Sequence, residues 1–312
     1  LKNQEENMPN FYVLDVAHGN SAVLIDTQGV IVIDAGGPKP YLLNFLTQKN
    51  ISTIEVLLLS HADQDHIAGA ISLLSSEIRV KHVYVNPDST KTSKIWDDLV
   101  YLLDEKDKEG HLDFESNLTP RLNGKLNQGE VTVEILAPNQ YIVAKGSGSK
   151  DRKDRKLTSN SISAVIRLSH KGKPVALLPG DLDEIGLDNL LEDTNDIQAW
   201  LVVFPHHGGK SGRENVKAFT HRFCQVVKPD IVVFSIGNNP KNFPTQVVVE
   251  TVAKTLNNVR MFSTRSSEVL QAHLQKTGNE SHQNGVGTIH LDLSQEPLDV
   301  NFINDNNTVG YS

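Results

Sequence analysis

Hydrophobic positions along the chain fall into two rhythms. Short, nearly unbroken apolar runs (FYVLDV, SAVLIDT and VIVIDAGG over residues 11–37) are separated by tight polar turns and predict strands covered on both faces. Between such runs lie stretches with helical spacing. Residues 38–48 place Tyr41, Leu42, Phe45 and Leu46 on one face, and residues 93–110 do the same with Trp96, Leu99, Val100, Leu102 and Leu103. Between them the pattern predicts a strand at 55–59, a helix at 67–75 and a strand at 82–86; a further strand follows at 131–138. Residues 139–160 show no period. ISAVIRLSH and KPVALLPGD then form a hairpin turned at Lys171-Gly172. Helices at 183–192, 214–227 and 245–256 alternate with strands at 199–204 and 230–235. RMFST, a polar insertion at 265–284 and a closing hairpin of GVGTIHLDL and PLDVNFI end the pattern. Strands alternating with helices predict a layered α/β fold. With no internal repeat or linker, residues 1–312 are expected to be one domain.

Composition narrows this picture without redirecting it. The 312 residues are long enough to bury a full core, and no run of eighteen apolar residues predicts a membrane span. The polar start, LKNQEENMPN, has no apolar leader pattern, and residues 1–10 are expected to be disordered. Cys224 is the lone cysteine; it excludes an internal disulfide, fits a cytoplasmic location and, within FTHRFCQVV, reads as core. A net charge of −8 argues against nucleic-acid binding over the whole surface. It leaves room for a local basic site: residues 145–156 hold six basic and two acidic side chains. That stretch is a flexible surface loop or a loop that grips phosphate.

The candidate chemistry sits at strand ends. In LLLSHADQDHIAGA, His61, Asp63, Asp65 and His66 crowd one strand-to-helix turn, so two imidazoles and two carboxylates can face a common centre. This donor set suits Zn²⁺, Mn²⁺ or Fe²⁺ in a catalytic site with a position left for water. Asp181 ends the strand of LLPGD, and His206 and His207 follow the strand AWLVVF. In layered α/β folds such strand ends share an edge where ligands gather. Beyond the histidine pair, Lys210 and Ser211 are candidates for binding a substrate phosphate, and Asn238 for a hydrogen bond to substrate.

Taken in order, these motifs resemble the metallo-β-lactamase-fold hydrolases, and most of all the metallo-hydrolase domain of the ComEC competence proteins. DVAHGNSAVLI is similar to that family's opening DVGQGDA-type turn, and IDAGG to its next strand. SHADQDHIAG is similar to its H-x-D-x-D-H metal motif, SNSISAVIRL to its N-x-S stretch, and LLPGD to the strand ending in its metal-binding aspartate. FPHHGGKSG resembles its HHGS loop, and VVFSIGNNPKNFPT its S-x-G-x-N…HP segment. The resemblance implies an αββα sandwich, two mixed sheets flanked by helices, with two divalent ions, Zn²⁺ or Mn²⁺, on one edge. His61 and Asp63 would serve one ion, Asp65 and His66 the other; Asp181 would bridge them, and His206 or His207 would complete the second site.

Three departures stand out. Phe243-Pro244 replaces the usual His-Pro, Asn20 stands where an acid is usual, and Asn160 and Ser161 stand near the place of a third-motif histidine. They leave one site short of ligands and weakly occupied. Asn160 is then a candidate for touching substrate. The implied activity is phosphodiester hydrolysis by hydroxide generated between the ions, with Asp65 and His66 catalytic, on DNA gripped by the basic loop or on a nucleotide diester. A lactone or thioester hydrolase, and a binding module with a degraded metal site, are the alternatives; the residues do not settle the oligomeric state.

Overall fold

A computed structural model of the protein describes residues 8–213, 215–237, 242–278 and 282–303. Two mixed sheets face each other, with helices on both outer sides. The first sheet takes its strands mainly from the first third of the chain: β1 (Asn10–Val13), β2 (Ser21–Ile25), β3 (Val30–Ala35), β4 (Thr53–Leu59), β5 (Arg79–Val85) and β6 (Asp113–Glu115). The second sheet follows with β7 (Val131–Ala137), β8 (Val165–His170), β9 (Lys173–Leu178), β10 (Leu201–Val203), β11 (Ile231–Phe234), β12 (Arg260–Ser263) and β13 (Gln283–Asn284). The chain end returns to the first sheet, where β14 (Thr288–Asp292) pairs antiparallel with β1, and β15 (Asn301–Ile303) with β14. The strand orders are β15-β14-β1-β2-β3-β4-β5-β6 and β13-β12-β11-β10-β9-β8-β7.

The unbroken apolar runs follow from this layering, since alternate side chains of one strand reach different cores. Phe11, Val13, Ala22 and Leu24 point between the sheets, where they meet Ile135, Ile166, Leu201, Ile231 and Phe262. Tyr12, Leu14 and Val23 point outward, beneath helices α1 (Tyr41–Gln48), α2 (Gln64–Leu74) and α3 (Lys94–Lys108). A short helix α4 (Gln140–Lys145) follows β7. The outer face of the second sheet packs against α5 (Glu184–Asp193), α6 (Val216–Val227), α7 (Gln246–Thr255) and α8 (Glu268–Thr277), with Cys224 buried in that core. No helix among the described residues is long and apolar enough to cross a membrane. Phe234, at the end of β11, is fully buried with its ring 5.5 Å from that of Phe204. Phe234→Ala is expected to cost about 3–5 kcal/mol through lost burial and a residual cavity, read as a lower urea midpoint at unchanged slope.

Several boundaries differ from the sequence reading. β1 begins at Asn10, and Pro9 accepts a hydrogen bond from the Leu293 amide, so the expected disorder over residues 1–10 does not extend to residues 9–10; residues 1–7 lie outside the described chain. Residues 145–156 are tied down, because Asp151 accepts bonds from the amides of Lys153 and Arg155 and from the Arg155 side chain. The polar insertion at 265–284 contains α8. Its single buried residue, Leu270, leaves no apolar stripe to detect, and its ends rest on local chemistry: Ser267 caps the Leu270 amide, and Gly278 takes the left-handed turn.

Candidate metal centre

Parallel pairing aligns the carboxyl ends of β3 and β4 in one sheet and of β9, β10 and β11 in the other. The two edges are stitched together where the Ala164 amide donates to the Ser60 carbonyl (2.9 Å), and within the second sheet the Asp181 amide donates to Ser163 Oγ (3.1 Å). His61 follows β4 after Ser60. Asp63 is the residue before α2, and that helix starts earlier than its apolar pattern suggests, so Asp65 and His66 lie in its first turn. There the positive end of the helix dipole favours carboxylates. Gly69 allows the close approach of α2 to β3, because a Cβ at that position would lie 2.0 Å from the Ala35 carbonyl oxygen.

Five of the seven predicted ligands, joined by one further histidine, gather as two groups of three. His61, His66 and Asp181 are all buried, and their ligand atoms lie within 4.8 Å of one another. Asp65 and His207 form the second group with His18, a residue that sequence reasoning did not propose. His207 Nε2 is 3.1 Å and His18 Nε2 3.5 Å from Asp65 Oδ2. Asp181 faces both groups: Oδ1 lies 3.1 Å from His66 Nε2 and 3.8 Å from His207 Nε2, while Oδ2 lies 3.7 Å from His61 Nε2. The expected split therefore changes. His66 sits with His61 rather than with Asp65, because adjacent positions on a helix turn point about 100° apart.

The histidine pair, open from sequence, divides its tasks. His207 is buried; its Nδ1 donates to the Ser235 carbonyl (2.8 Å), which turns Nε2 toward Asp65. His206 is more exposed and meets Asp181 Oδ2 at 2.7 Å through Nδ1. Both have positive φ (51° and 57°), two consecutive non-glycine residues in the left-handed region, an arrangement that stores backbone strain at this turn. Asp63 joins neither group. It lies 3.8 Å from His61 and is ion-paired with Lys91.

The donors are arranged as a metal site would need them. His61 Nε2, His66 Nε2 and Asp181 Oδ1 are buried without an aligned hydrogen bond, a costly arrangement unless a cation satisfies them. Burial disfavours the charged forms, yet the neighbours outweigh it. Asp181 and Asp34 raise His66 well above its ordinary value, and His66, with the hydrogen bond from His206, holds Asp181 well below the carboxylate range. Burial likewise opposes the charge on Asp65, but His207 and His66 hold it far below that range. His61 is pushed down by burial and by His66, which keeps it a neutral, ligand-competent imidazole. To serve as a ligand, His66 would have to give up one of its ring protons.

Sequence reasoning also missed Asp34. Within IDAGG it read only as a strand end. It is buried with φ 56° and accepts from Ser60 N (2.7 Å), from Ser60 Oγ (2.8 Å) and from His66 Nδ1 (2.7 Å). A charged residue closing an otherwise apolar strand was the available signal. Among the substrate candidates, Asn160 lines a pocket, Lys210 is exposed, and Ser211 is buried with an unpartnered hydroxyl. Asn238 lies outside the described residues.

Residues 14–139 match the family model described as the Metallo-beta-lactamase superfamily. The chain is 24% identical over 319 residues to ComE operon protein 3 of Bacillus subtilis (strain 168), covering 95% of this chain and 35% of that protein. It thus spans about a third of the length of that curated relative. Among solved structures it is similar to the metallo-beta-lactamase fold protein YhfI from Bacillus subtilis, with a TM-score of 0.50 and 12% identity over 83% of this chain and 98% of that one. The αββα layering is the fold it shares with that structure.

Proposed function

We propose that the chain, whose residues 14–139 match the family model of the Metallo-beta-lactamase superfamily, is a metal-dependent hydrolase, working as one domain, whose substrate is a phosphodiester of DNA or of a nucleotide. One observation carries the choice of substrate. A pocket of about 690 Å³, linked to the turn after β4 by the Lys91–Asp63 ion pair, is lined by Lys91, Lys150, Arg155, Lys156 and Arg213 together with Ser159 and Asn160. Asp154, Asp183 and Glu184 also line it, and Lys150 and Arg155 are occupied by Asp154, Asp151 and Asp188. Lys156 and Arg213 have no ion-pair partner among the described residues, so an anionic diester gains from them what a neutral lactone does not.

Divalent ions, Zn²⁺ or Mn²⁺, held by His61, His66, Asp181, Asp65 and His207 would supply an activated water and neutralise charge on the phosphoryl transition state. The chain's own residues do the rest. Asp181 spans both donor groups, and Asp34 fixes the tautomer and direction of His66. Asp65, aligned by His207, orients the attacking water. Lys91 is paired with Asp63 and fixes that carboxylate at the rim of the pocket, which leaves Lys156 and Arg213 to meet the substrate phosphate.

The test compares single-stranded DNA with bis(p-nitrophenyl) phosphate, with Mn²⁺ and with chelator. A Lys156→Ala, Arg213→Ala double variant is expected to raise KM for DNA about tenfold or more at low salt and to flatten its salt dependence, with little change on the small diester. Cleavage that survives the chelator would overturn the metal-dependent reading. Lactone or thioester turnover without diester cleavage would move the protein to the other substrate class.

A further inference from the structure

We propose that His18 is a metal ligand, and that with Asp65 and His207 it holds a second, outer ion; this rests on the metal-dependent reading above. Donors bound tetrahedrally at zinc distances lie about 3.4 Å apart. His18 Nε2 and His207 Nε2 lie 3.5 Å and 3.1 Å from the same oxygen of Asp65. The rings of His18 and His207 are 4.6 Å apart. His207 has its Nδ1 engaged by the Ser235 carbonyl, so Nε2 is the ring nitrogen presented to the site.

The turn that carries His18 is wedged into place. Gly19 has φ +130°, and a Cβ there would lie 2.0 Å from the Asp65 carbonyl oxygen, which also accepts the Asn20 amide at 3.2 Å. On the opposite side Ser235 Oγ donates to the Gly19 carbonyl (2.7 Å), and a Cβ on Gly237 would lie 2.3 Å from His18 N. The backbone at 17–20 is therefore held between the first turn of α2 and the segment after β11, and the imidazole is delivered by a fixed strut.

The sequence departures fit the same conclusion. Phe243 removes a histidine that the resembled pattern supplies late in the chain, and Asn20 removes an acid from the first turn. His18 stands where that pattern has glutamine, and its ring is 6.1 Å from that of Phe243. A donor lost from one loop is regained from another. The outer group is also the more open one: the side chains of His18 and Asp65 are 38% and 27% exposed, against 0% for His61 and His66. The outer ion therefore exchanges readily, and the inner one is retained.

The test is metal content and affinity rather than turnover. Wild type, His18→Gln and His18→Ala are loaded with Zn²⁺ or Co²⁺, desalted and analysed for metal per chain, and Co²⁺ absorption is followed on titration. Wild type is expected to take up two ions of unequal affinity, and both variants to lose the weaker one. Unchanged thermal unfolding of the metal-free variants would show that the fold is intact. Variants that keep both ions at wild-type affinity overturn the proposal, including the case where cleavage falls, which would place His18 on substrate. A single ion in wild type and variants alike, with cleavage preserved, overturns it while leaving the hydrolase reading standing; no ion in any of them overturns both.

Discussion

Asp181→Asn is expected to abolish metal-dependent diester cleavage, with a fall of about a thousandfold or more, equivalent to about 4 kcal/mol or more of barrier. Asp181 is buried at the meeting point of the two donor groups, with His66, His206, His61 and His207 between 2.7 Å and 3.8 Å from its oxygens. Asparagine keeps the volume but removes the negative charge and one acceptor. The variant leaves the inner group with two imidazoles and no carboxylate, so an ion can no longer be held there, while Asp65 remains with His18 and His207 in the outer group. The paired measurements are turnover with saturating Mn²⁺ and metal bound per chain after desalting. Turnover within tenfold of wild type would mean that Asp181 is structural and that the active centre lies elsewhere.

The second large effect is expected one step behind the ligands. Asp34→Ala should weaken metal binding by about 10- to 100-fold, the range seen when a group that orients a ligating histidine is removed. It should also cost about 1–3 kcal/mol of stability in the metal-free protein, because the buried Ser60 amide and hydroxyl lose their acceptor. Competition with a chromophoric chelator reads the first number and urea unfolding of the metal-free protein the second. Asp34→Asn, which keeps part of the acceptor geometry, should fall between. If metal affinity is unchanged while stability drops, Asp34 serves the strand end alone and its bond to His66 has no part in ligation.

Both residues show how unevenly the centre could be read in advance. Asp181 was legible because LLPGD puts a charged residue straight after an apolar strand, within an ordered series of motifs. Asp34 ends a strand in the same manner, but its role depends on contact with Ser60 and His66, which arrive from β4 and α2. No local pattern announces that contact. The basic stretch at 145–156 has the converse history. Its charge was plain, but its order came from Asp151 and from Asp188 on α5, and its relevance came from Lys91, which reaches in after β5.

By itself the sequence determined the layered α/β class, because apolar runs buried on both faces and helices with one apolar stripe are written in local spacing. It also determined that His61, Asp63, Asp65 and His66 lie in a single turn, since six residues of chain cannot carry them far apart. Only the tertiary structure decided which donors lie together. The rotation of the first turn of α2 sends His66 to His61 and Asp181, and Asp65 to His207. The same packing wedges Gly19 against Asp65 and so brings in His18 from the β1–β2 turn. Such contacts join residues far apart in the chain, and side-chain direction there is set by how the two sheets meet at one edge, which no spacing along the sequence encodes.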